Sequence, residues 1–149
     1  MVDFGNVIAI GCDHSGFTVK QEIMRNFKKE GFGFRDYGCF SEESVDYPDI
    51  IHPLAKEIDK GIIKRGIIIC GSGNGVAIVA NKYKFVRAAV CWNGDITRLA
   101  RQHNDANIMS VPARFLSTEE ILNLLKIYLT TDFEGGRHLR RVEKISSLL

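Results

Sequence analysis

Short apolar runs and longer amphipathic segments follow one another along the chain. Residues 7–12 form a continuous apolar run, which is typical of a strand buried on both faces of a sheet. Residues 17–29 place apolar side chains among charged ones at helical spacing, and Gly31 ends this segment. Residues 32–37 give a weaker strand signal, so the chain begins with a strand, a helix and a second strand.

The same alternation continues through the rest of the sequence. After a polar loop at 38–48, the pattern predicts a helix from Pro48 up to Gly61, a strand at 66–70, a helix at 76–82, a strand at 86–92, a helix at 95–103 and a strand at 106–111. Ser117 and Glu120 have the spacing of a capping box and predict a helix to about Leu129. Gly135-Gly136 then interrupts the chain before a basic, helix-like tail.

Five predicted strands separated by helices indicate an α/β fold. We expect a three-layer α/β/α, Rossmann-like sandwich with a five-stranded parallel sheet and a C-terminal helical tail. No linker or repeat is visible, so residues 1–149 are expected to form one domain. The tail from about residue 134 is expected to pack on a neighbouring subunit. The pattern leaves the order of the outer strands open.

Composition and charge exclude several classes of protein. The net charge of +2 is too small to indicate binding to nucleic acid or to a membrane surface. No apolar run has the length of a membrane helix and residues 1–4 lack a signal-peptide pattern, so a cytoplasmic protein is expected. The four cysteines show no C-x-x-C spacing, which disfavours a zinc or redox motif. Cys12 and Cys91 lie in apolar runs and are expected to be buried.

The turn after the third strand, Ile-Cys-Gly-Ser-Gly-Asn-Gly at 69–75, carries the most chemistry. Its glycines leave backbone N–H groups open to a ligand beside the Cys70 thiol and the Ser72 hydroxyl. The turn lacks the Gly-Lys-Ser/Thr of a Walker loop and the spacing of G-x-G-x-x-G. Valine at position 76 excludes a Cys-x5-Arg phosphatase loop. The turn therefore suits stabilisation of an oxyanion beside a thiol.

Ligands of open α/β sheets bind beyond the carboxyl ends of the strands, where we expect the polar candidates to gather. These candidates are Asp13 and His14 after the first strand, Cys70, Ser72 and Asn74 after the third, His103 and Asn104 after the fourth helix, and Arg114 after the fifth strand. Arg137 and Arg141 share a face of the tail helix and can grip one phosphate. Singly, each residue also fits an ordinary structural explanation, such as a cap or a solvated helix end.

Taken together, these residues resemble the ribose-5-phosphate isomerase B family from about residue 7 to residue 145. The matching stretches are Gly-Cys-Asp-His-Ser-Gly-Phe at 11–17, Asp-Tyr-Pro at 46–48, the glycine turn at 69–75, Ala-Asn-Lys at 80–82, Arg-Gln-His-Asn-Asp at 101–105 and Glu-Gly-Gly-Arg-His at 134–138. The resemblance implies an aldose–ketose isomerase of the pentose phosphate pathway. Such an enzyme interconverts ribose 5-phosphate and ribulose 5-phosphate by proton transfer through a cis-enediolate.

The family also implies a role for each candidate residue. Cys70 would be the base between C1 and C2, Ser72 would handle the proton on the substrate oxygens, and His103 would assist ring opening. Some members use a glutamate where this chain has Val76-Ala77, so the cysteine type is implied. The implied substrate contacts are Asp13, His14, Tyr47, Gly71, Gly73, Asn74, Gly75 and Asn104, and the implied phosphate contacts are His14, Arg114, Arg137 and Arg141.

The resemblance further implies a homo-oligomer, a dimer or a tetramer, with the active site between subunits. Proton transfer of this kind requires neither a metal nor a cofactor, and none is expected. Two alternatives stay open at this point. One is a hexose 6-phosphate substrate, such as galactose or allose 6-phosphate. The other is a non-catalytic nucleotide- or flavin-binding module, which would leave Cys70, His103 and the tail arginines without a role.

Overall fold

Five parallel strands form one sheet in the order β2-β1-β3-β5-β4 in a computed structural model that describes residues 4–149. The strands are β1 Val7–Cys12, β2 Gly33–Asp36, β3 Arg65–Cys70, β4 Ala88–Val90 and β5 Ile108–Pro112. The helices are α1 Phe17–Lys28, α2 Tyr47–Asp59, α3 Asn74–Ala80, α4 Gly94–Gln102, α5 Thr118–Thr130 and α6 Arg137–Ser147. Residues 1–3, which entered the expectations about a signal peptide and about the domain limits, lie outside the described residues.

Helices cover the sheet on both faces, which confirms the α/β/α arrangement. Side chains along a strand alternate between faces, and each face here meets apolar helices. Ile67 and Ile69 of β3 pack with α1, α4 and α5, whereas Ile68 and Cys70 pack with α2 and α3. The apolar runs seen in the sequence are therefore strands buried on both sides. Cys70 reaches the site from the α2–α3 face.

Two predicted elements differ from the structure by two residues at both ends. The strand predicted at 86–92 is paired only over Ala88–Val90, at the edge of the sheet. The Asn81 side chain bonds both the N–H and the C=O of Ala88 on the open side of this strand, at 2.8 and 2.9 Å. The helix predicted at 76–82 is Asn74–Ala80, because Gly73 has a φ of +75° and turns the chain directly from strand to helix.

The C-terminal helix α6 contacts its own chain along one stripe. His138, Val142 and Ser146, spaced four residues apart, are buried, and the Ser146 hydroxyl donates to the Lys84 carbonyl at 2.7 Å. Leu139 and Ile145 are about half exposed on the same helix. The packing of this tail on a neighbouring subunit stays a prediction. Within residues 4–149, every helix is too short or too polar to cross a membrane.

Candidate active site

The carboxyl ends of β1, β3 and β5 open into one crevice of about 970 Å³. Side chains from all three strand ends and from the start of α2 line it. They include the predicted residues Asp13, His14, Tyr47, Cys70, Gly71, Ser72, Gly75 and Arg114, together with Ser15, Asp46, Asp49 and Phe115, which the sequence analysis did not select. The structure therefore brings most of the candidates together at this edge of the sheet.

Cys70 is held at the end of β3 by the glycine turn. The Gly73 N–H donates to Cys70 Sγ at 3.1 Å, and the thiol is 6% exposed. The turn is fixed from below by Ser110 of β5, whose buried hydroxyl donates to the Gly73 carbonyl at 2.6 Å. Sequence reasoning missed Ser110, since a serine inside an apolar strand carries no signal of its partner.

Two side chains from other elements cover the same turn because glycines leave room for them. A Cβ atom at Gly75 would lie 2.7 Å from Cζ of Tyr47, and one at Gly71 would lie 3.0 Å from Cδ of Arg114. The Tyr47 ring and the Arg114 side chain thus pack directly on the backbone of the turn. A residue larger than glycine at position 75 or 71 would displace them. Ser72, between these glycines, is exposed and accepts the Asn74 N–H at 3.2 Å.

Asp13 and His14 occupy the adjoining wall of the crevice. Asp13 is nearly buried, and its Oδ1 accepts the N–H of Ser15 at 2.9 Å as well as the Ser15 hydroxyl. Asp13 therefore caps the short helical turn His14–Gly16, which is its ordinary structural role, and it also lines the crevice. Nδ1 of His14 accepts the Val45 N–H at 3.4 Å, which places the ring beside the loop that leads to Tyr47.

The expectation that His103 and Asn104 join this edge is wrong for a single chain. His103 is the C-cap of α4, and Asn104 precedes β5, whose first residue Ile108 pairs with Gly66 near the start of β3. In a parallel sheet each helix returns the chain to the amino ends of the strands, so the end of α4 lies at the opposite edge. Gly73 and Asn74 also do not line the crevice.

The arginines of α6 are likewise absent from the crevice. Arg137 and Arg141 are exposed on the helix whose first turn packs on the end of α4. Arg137 and Arg141 therefore lie at the same edge of the sheet as His103 and away from Cys70. Within one chain the predicted site residues therefore form two separate groups, one at each edge of the sheet.

His103, Glu134 and His138 form the centre of the second group. The two imidazole rings are stacked, with centroids 4.1 Å apart and planes inclined by 11°. Glu134 Oε2 lies 3.9 Å from Nε2 of His103 and 3.7 Å from Nε2 of His138. Burial, together with the nearby His103 and Arg137, lowers the pKa of His138.

These three side chains have ligand atoms within 4.8 Å of one another, the spacing of a metal site. The ring planes argue against one. An imidazole binds a metal through a lone pair in its own plane, at about 2.0–2.1 Å. Because the two ring planes are stacked and nearly parallel, no single point lies in both planes at about 2.0–2.1 Å from both nitrogens. The arrangement is that of a histidine stack with a carboxylate at its edge.

The remaining cysteines differ from Cys70 in their surroundings. Burial, with the neighbouring Cys39 thiol, raises the pKa of Cys12 to about 12, and burial raises that of Cys91 to about 11. Both side chains are fully buried, as the sequence predicted. Sγ of Cys12 contacts Sγ of Cys39 at 3.7 Å. The thiols of Cys12 and Cys91 fill the core and stay protonated near neutral pH.

Comparison with known proteins agrees with this geometry. Residues 8–145 match the family model described as Ribose/Galactose Isomerase. The chain belongs to this family. Among curated members, "Ribose-5-phosphate isomerase B" of Escherichia coli (strain K12) is 39% identical over 141 residues, which cover 95% of each chain. "Ribose-5-P isomerase B" of Listeria innocua is 38% identical over the same share of both chains.

Solved structures of ribose/galactose isomerases show the same fold. Ribose-5-phosphate isomerase B from Clostridium thermocellum superposes with a TM-score of 0.92 at 43% identity, over 95% of this chain and 96% of that one. The enzyme from Mycoplasma genitalium, solved with bound ribulose-5-phosphate, gives a TM-score of 0.91 at 38% identity, over 95% of both chains. The fold predicted from the sequence is thus that of the family.

Proposed function

We propose that this chain is a ribose-5-phosphate isomerase, which interconverts ribose 5-phosphate and ribulose 5-phosphate in the non-oxidative pentose phosphate pathway. The observation that carries the proposal is the Cys70 thiol, held by the Gly73 N–H at the carboxyl edge of the sheet of a ribose/galactose isomerase. The names of the family relatives and the ribulose-5-phosphate bound to one of them support the same substrate pair.

The reaction moves a proton between adjacent carbons. The Cys70 thiolate removes the proton from C2 of the open-chain aldose, the electrons of that bond form the C1–C2 double bond, and O1 becomes an oxyanion. Ser72 transfers the proton between O2 and O1, and the Cys70 thiol returns its proton to C1, which leaves the carbonyl at C2. The N–H groups of Gly71, Ser72 and Gly75, which line the crevice, stabilise the enediolate while its charge is present, since those of Gly73 and Asn74 are bonded within the turn. A base beside oriented amides meets both needs of the reaction.

The walls of the crevice supply substrate contacts. Asp13 and Tyr47, which both line the crevice, bind sugar hydroxyls, and Asp13 offers Oδ2 for this purpose because its hydrogen bonds to Ser15 use Oδ1. His14 and Arg114 bind the phosphate, for which the Arg114 guanidinium offers paired donors.

A second copy of the chain completes the site in this proposal. His103, Asn104, Arg137 and Arg141 lie away from the Cys70 crevice of their own chain, so each can reach substrate only in a partner's crevice. The half-exposed Leu139 and Ile145 on α6 give that partner apolar surface to cover. We therefore propose a homodimer with two shared active sites.

A coupled assay of ribose 5-phosphate and of hexose 6-phosphates, on wild type and on Cys70→Ala, tests the function. Hexose phosphates are included because the family covers galactose as well as ribose isomerases. We expect ribose 5-phosphate to be the preferred substrate and Cys70→Ala to lower kcat about 10³-fold, because the proton acceptor is removed. Cys91→Ala, which removes a buried thiol on the other face, is the matched control and keeps activity.

Undiminished activity of Cys70→Ala would exclude the proposed base. Dialysis against EDTA is expected to leave the wild-type rate unchanged, since no step assigns a role to a metal. Loss of activity that a divalent metal restores contradicts this mechanism. Preference for a hexose 6-phosphate would contradict the proposed substrate but agree with the proposed proton-transfer mechanism.

A further inference from the structure

The imidazole of His103 is oriented by a ring from another helix. Its side chain is 38% exposed, at the end of α4, where a lone imidazole would rotate. His138, 10% exposed, lies against it with a centroid separation of 4.1 Å and planes inclined by 11°. A ring stacked at this distance restricts both the rotamer and the ring plane of its neighbour.

His138 is itself fixed by the backbone. Its N–H donates to the Gly135 carbonyl at 3.0 Å, in a turn where Gly135 and Gly136 both have positive φ angles. These angles favour glycine and set the direction in which α6 begins. His138 therefore presents one face to His103 through the geometry of the turn.

Two hydrogen bonds tie the segment before α6 to the end of α4. The Glu134 N–H donates to the Gln102 carbonyl at 3.1 Å, and Nε of the buried Arg101 donates to the Thr131 carbonyl at 3.2 Å. These two hydrogen bonds fix the start of α6, which carries His138, relative to the end of α4, which carries His103. The Glu134 carboxylate lies less than 4 Å from both Nε2 atoms, at the edge of the stack.

We propose that His138 is a positioning residue for ring opening: its stacked imidazole, with Glu134, orients His103. In that orientation His103 takes the proton of the anomeric hydroxyl and returns a proton to the ring oxygen as the bond between C1 and that oxygen breaks and the C1 carbonyl forms. The inference rests on the proposed function, in which His103 opens the ring. It assigns His138 no contact with substrate. The positioning of His103 depends on the stacking of a flat ring at position 138. Another aromatic residue can therefore replace the imidazole there, whereas an aliphatic residue cannot.

Ring opening can be measured apart from isomerisation. Ribose 5-phosphate exchanges between its two cyclic anomers through the open chain, and exchange NMR measures that rate. The Cys70→Ala background stops the carbon proton transfer but keeps His103 and His138. We add His138→Leu, His138→Phe or, as a control on an exposed position of the same helix, Lys144→Ala. The Kd for ribose 5-phosphate is measured for each variant.

We expect the protein with Cys70→Ala alone to accelerate anomer exchange above the rate in buffer. His138→Leu should lower this acceleration about tenfold, since a misplaced catalytic group loses rate steeply. His138→Phe and Lys144→Ala should keep it within about threefold. The Kd should change less than about twofold, because the phosphate-binding arginines are retained.

Three results would overturn the positioning role. The first is an undiminished rate of anomer exchange with His138→Leu, and the second is a rate with His138→Phe as low as that with His138→Leu. The third is a fall in the rate that is matched by a rise in Kd, since it would show that Arg137 or Arg141 had been displaced. Failure of the proposed function gives a different result, since the wild-type protein then does not isomerise ribose 5-phosphate at all. Thermal unfolding of each variant identifies a protein that fails to fold, and the Phe variant then still tests the stack.

Discussion

Single glycines decide the shape of the crevice at the residue scale. Gly75 has no side chain, and the Tyr47 ring lies where a Cβ atom would be, 2.7 Å from Cζ. Gly71 makes the same room for Arg114, at 3.0 Å from Cδ. These close approaches place two side chains from distant parts of the sequence over the thiol turn. In the proposed function, Gly71 and Gly75 therefore position two substrate contacts, Arg114 and Tyr47, in addition to offering backbone N–H groups.

Gly75→Ala tests this role of glycine. The added methyl group must displace the Tyr47 ring, while alanine suits the helical conformation of α3. We expect the KM for ribose 5-phosphate to rise about tenfold, because a sugar contact moves by roughly 1 Å, with little change in the melting temperature. Steady-state kinetics measure the effect. Gly33→Ala, where a Cβ would meet only Val7 at 3.5 Å, is the matched control, and an unchanged KM for Gly75→Ala contradicts the account.

At the scale of elements, one buried lysine joins α1 to β2 and to the turn beyond it. Lys20 is fully buried, and its Nζ lies 2.7 Å from Oδ1 and 2.9 Å from Oδ2 of Asp36. Nζ also donates to the Cys39 carbonyl, while Asp36 Oδ1 accepts the Gly38 N–H at 2.9 Å. The ion pair thus fixes how the second strand leaves the sheet.

Lys20→Met should lower the free energy of unfolding by about 2–3 kcal/mol, because it leaves Asp36 charged and without its cation. The loss is smaller than for a fully buried ion pair, since Asp36 is 20% exposed and keeps contact with water. Urea unfolding at one fixed protein concentration measures the change. Lys28→Met, on an exposed position of the same helix, should change the free energy by less than about 0.5 kcal/mol. Equal effects of the two substitutions would show that the ion pair contributes nothing.

At the scale of the whole molecule, the proposed site residues lie at two opposite edges of the sheet. Cys70 lies at the carboxyl edge, and His103, at the end of α4, lies at the amino edge. Strands and returning helices run in opposite directions in this topology, so one chain cannot bring both ends together. A two-fold dimer can place the amino edge of one copy against the carboxyl edge of the other.

Mixing two inactive variants tests the shared site. A heterodimer of Cys70→Ala and His103→Ala chains contains one site with both residues intact and one with neither. After subunit exchange, we expect recovery of about a quarter of the wild-type activity, since half of the dimers are mixed and half of their sites are complete. A mixture of Cys70→Ala and Ser72→Ala, both at the same edge, should recover none. Equal behaviour of the two mixtures contradicts a site shared between subunits.

The sequence determined the layers of this protein and most of one wall of its site. Apolar runs and amphipathic segments give strands and helices through local periodicity, and a strand followed by Cys-Gly-Ser-Gly-Asn-Gly marks a carboxyl edge without knowledge of distant contacts. Asp13 and Arg114 follow from the same rule, because each comes directly after a strand. Family membership followed from several short stretches in the same order.

Only the tertiary structure decided the order of the strands, the edge on which His103 lies and the partners of the key groups. The support of Gly73 by Ser110 and the stacking of His138 on His103 join residues 37 and 35 positions apart, which no local periodicity encodes. The hydrogen bonds of the Asn81 side chain to the open side of β4 were likewise visible only in the structure. Local pattern specifies elements, whereas contacts between distant segments specify the site, because they arise only when the elements pack.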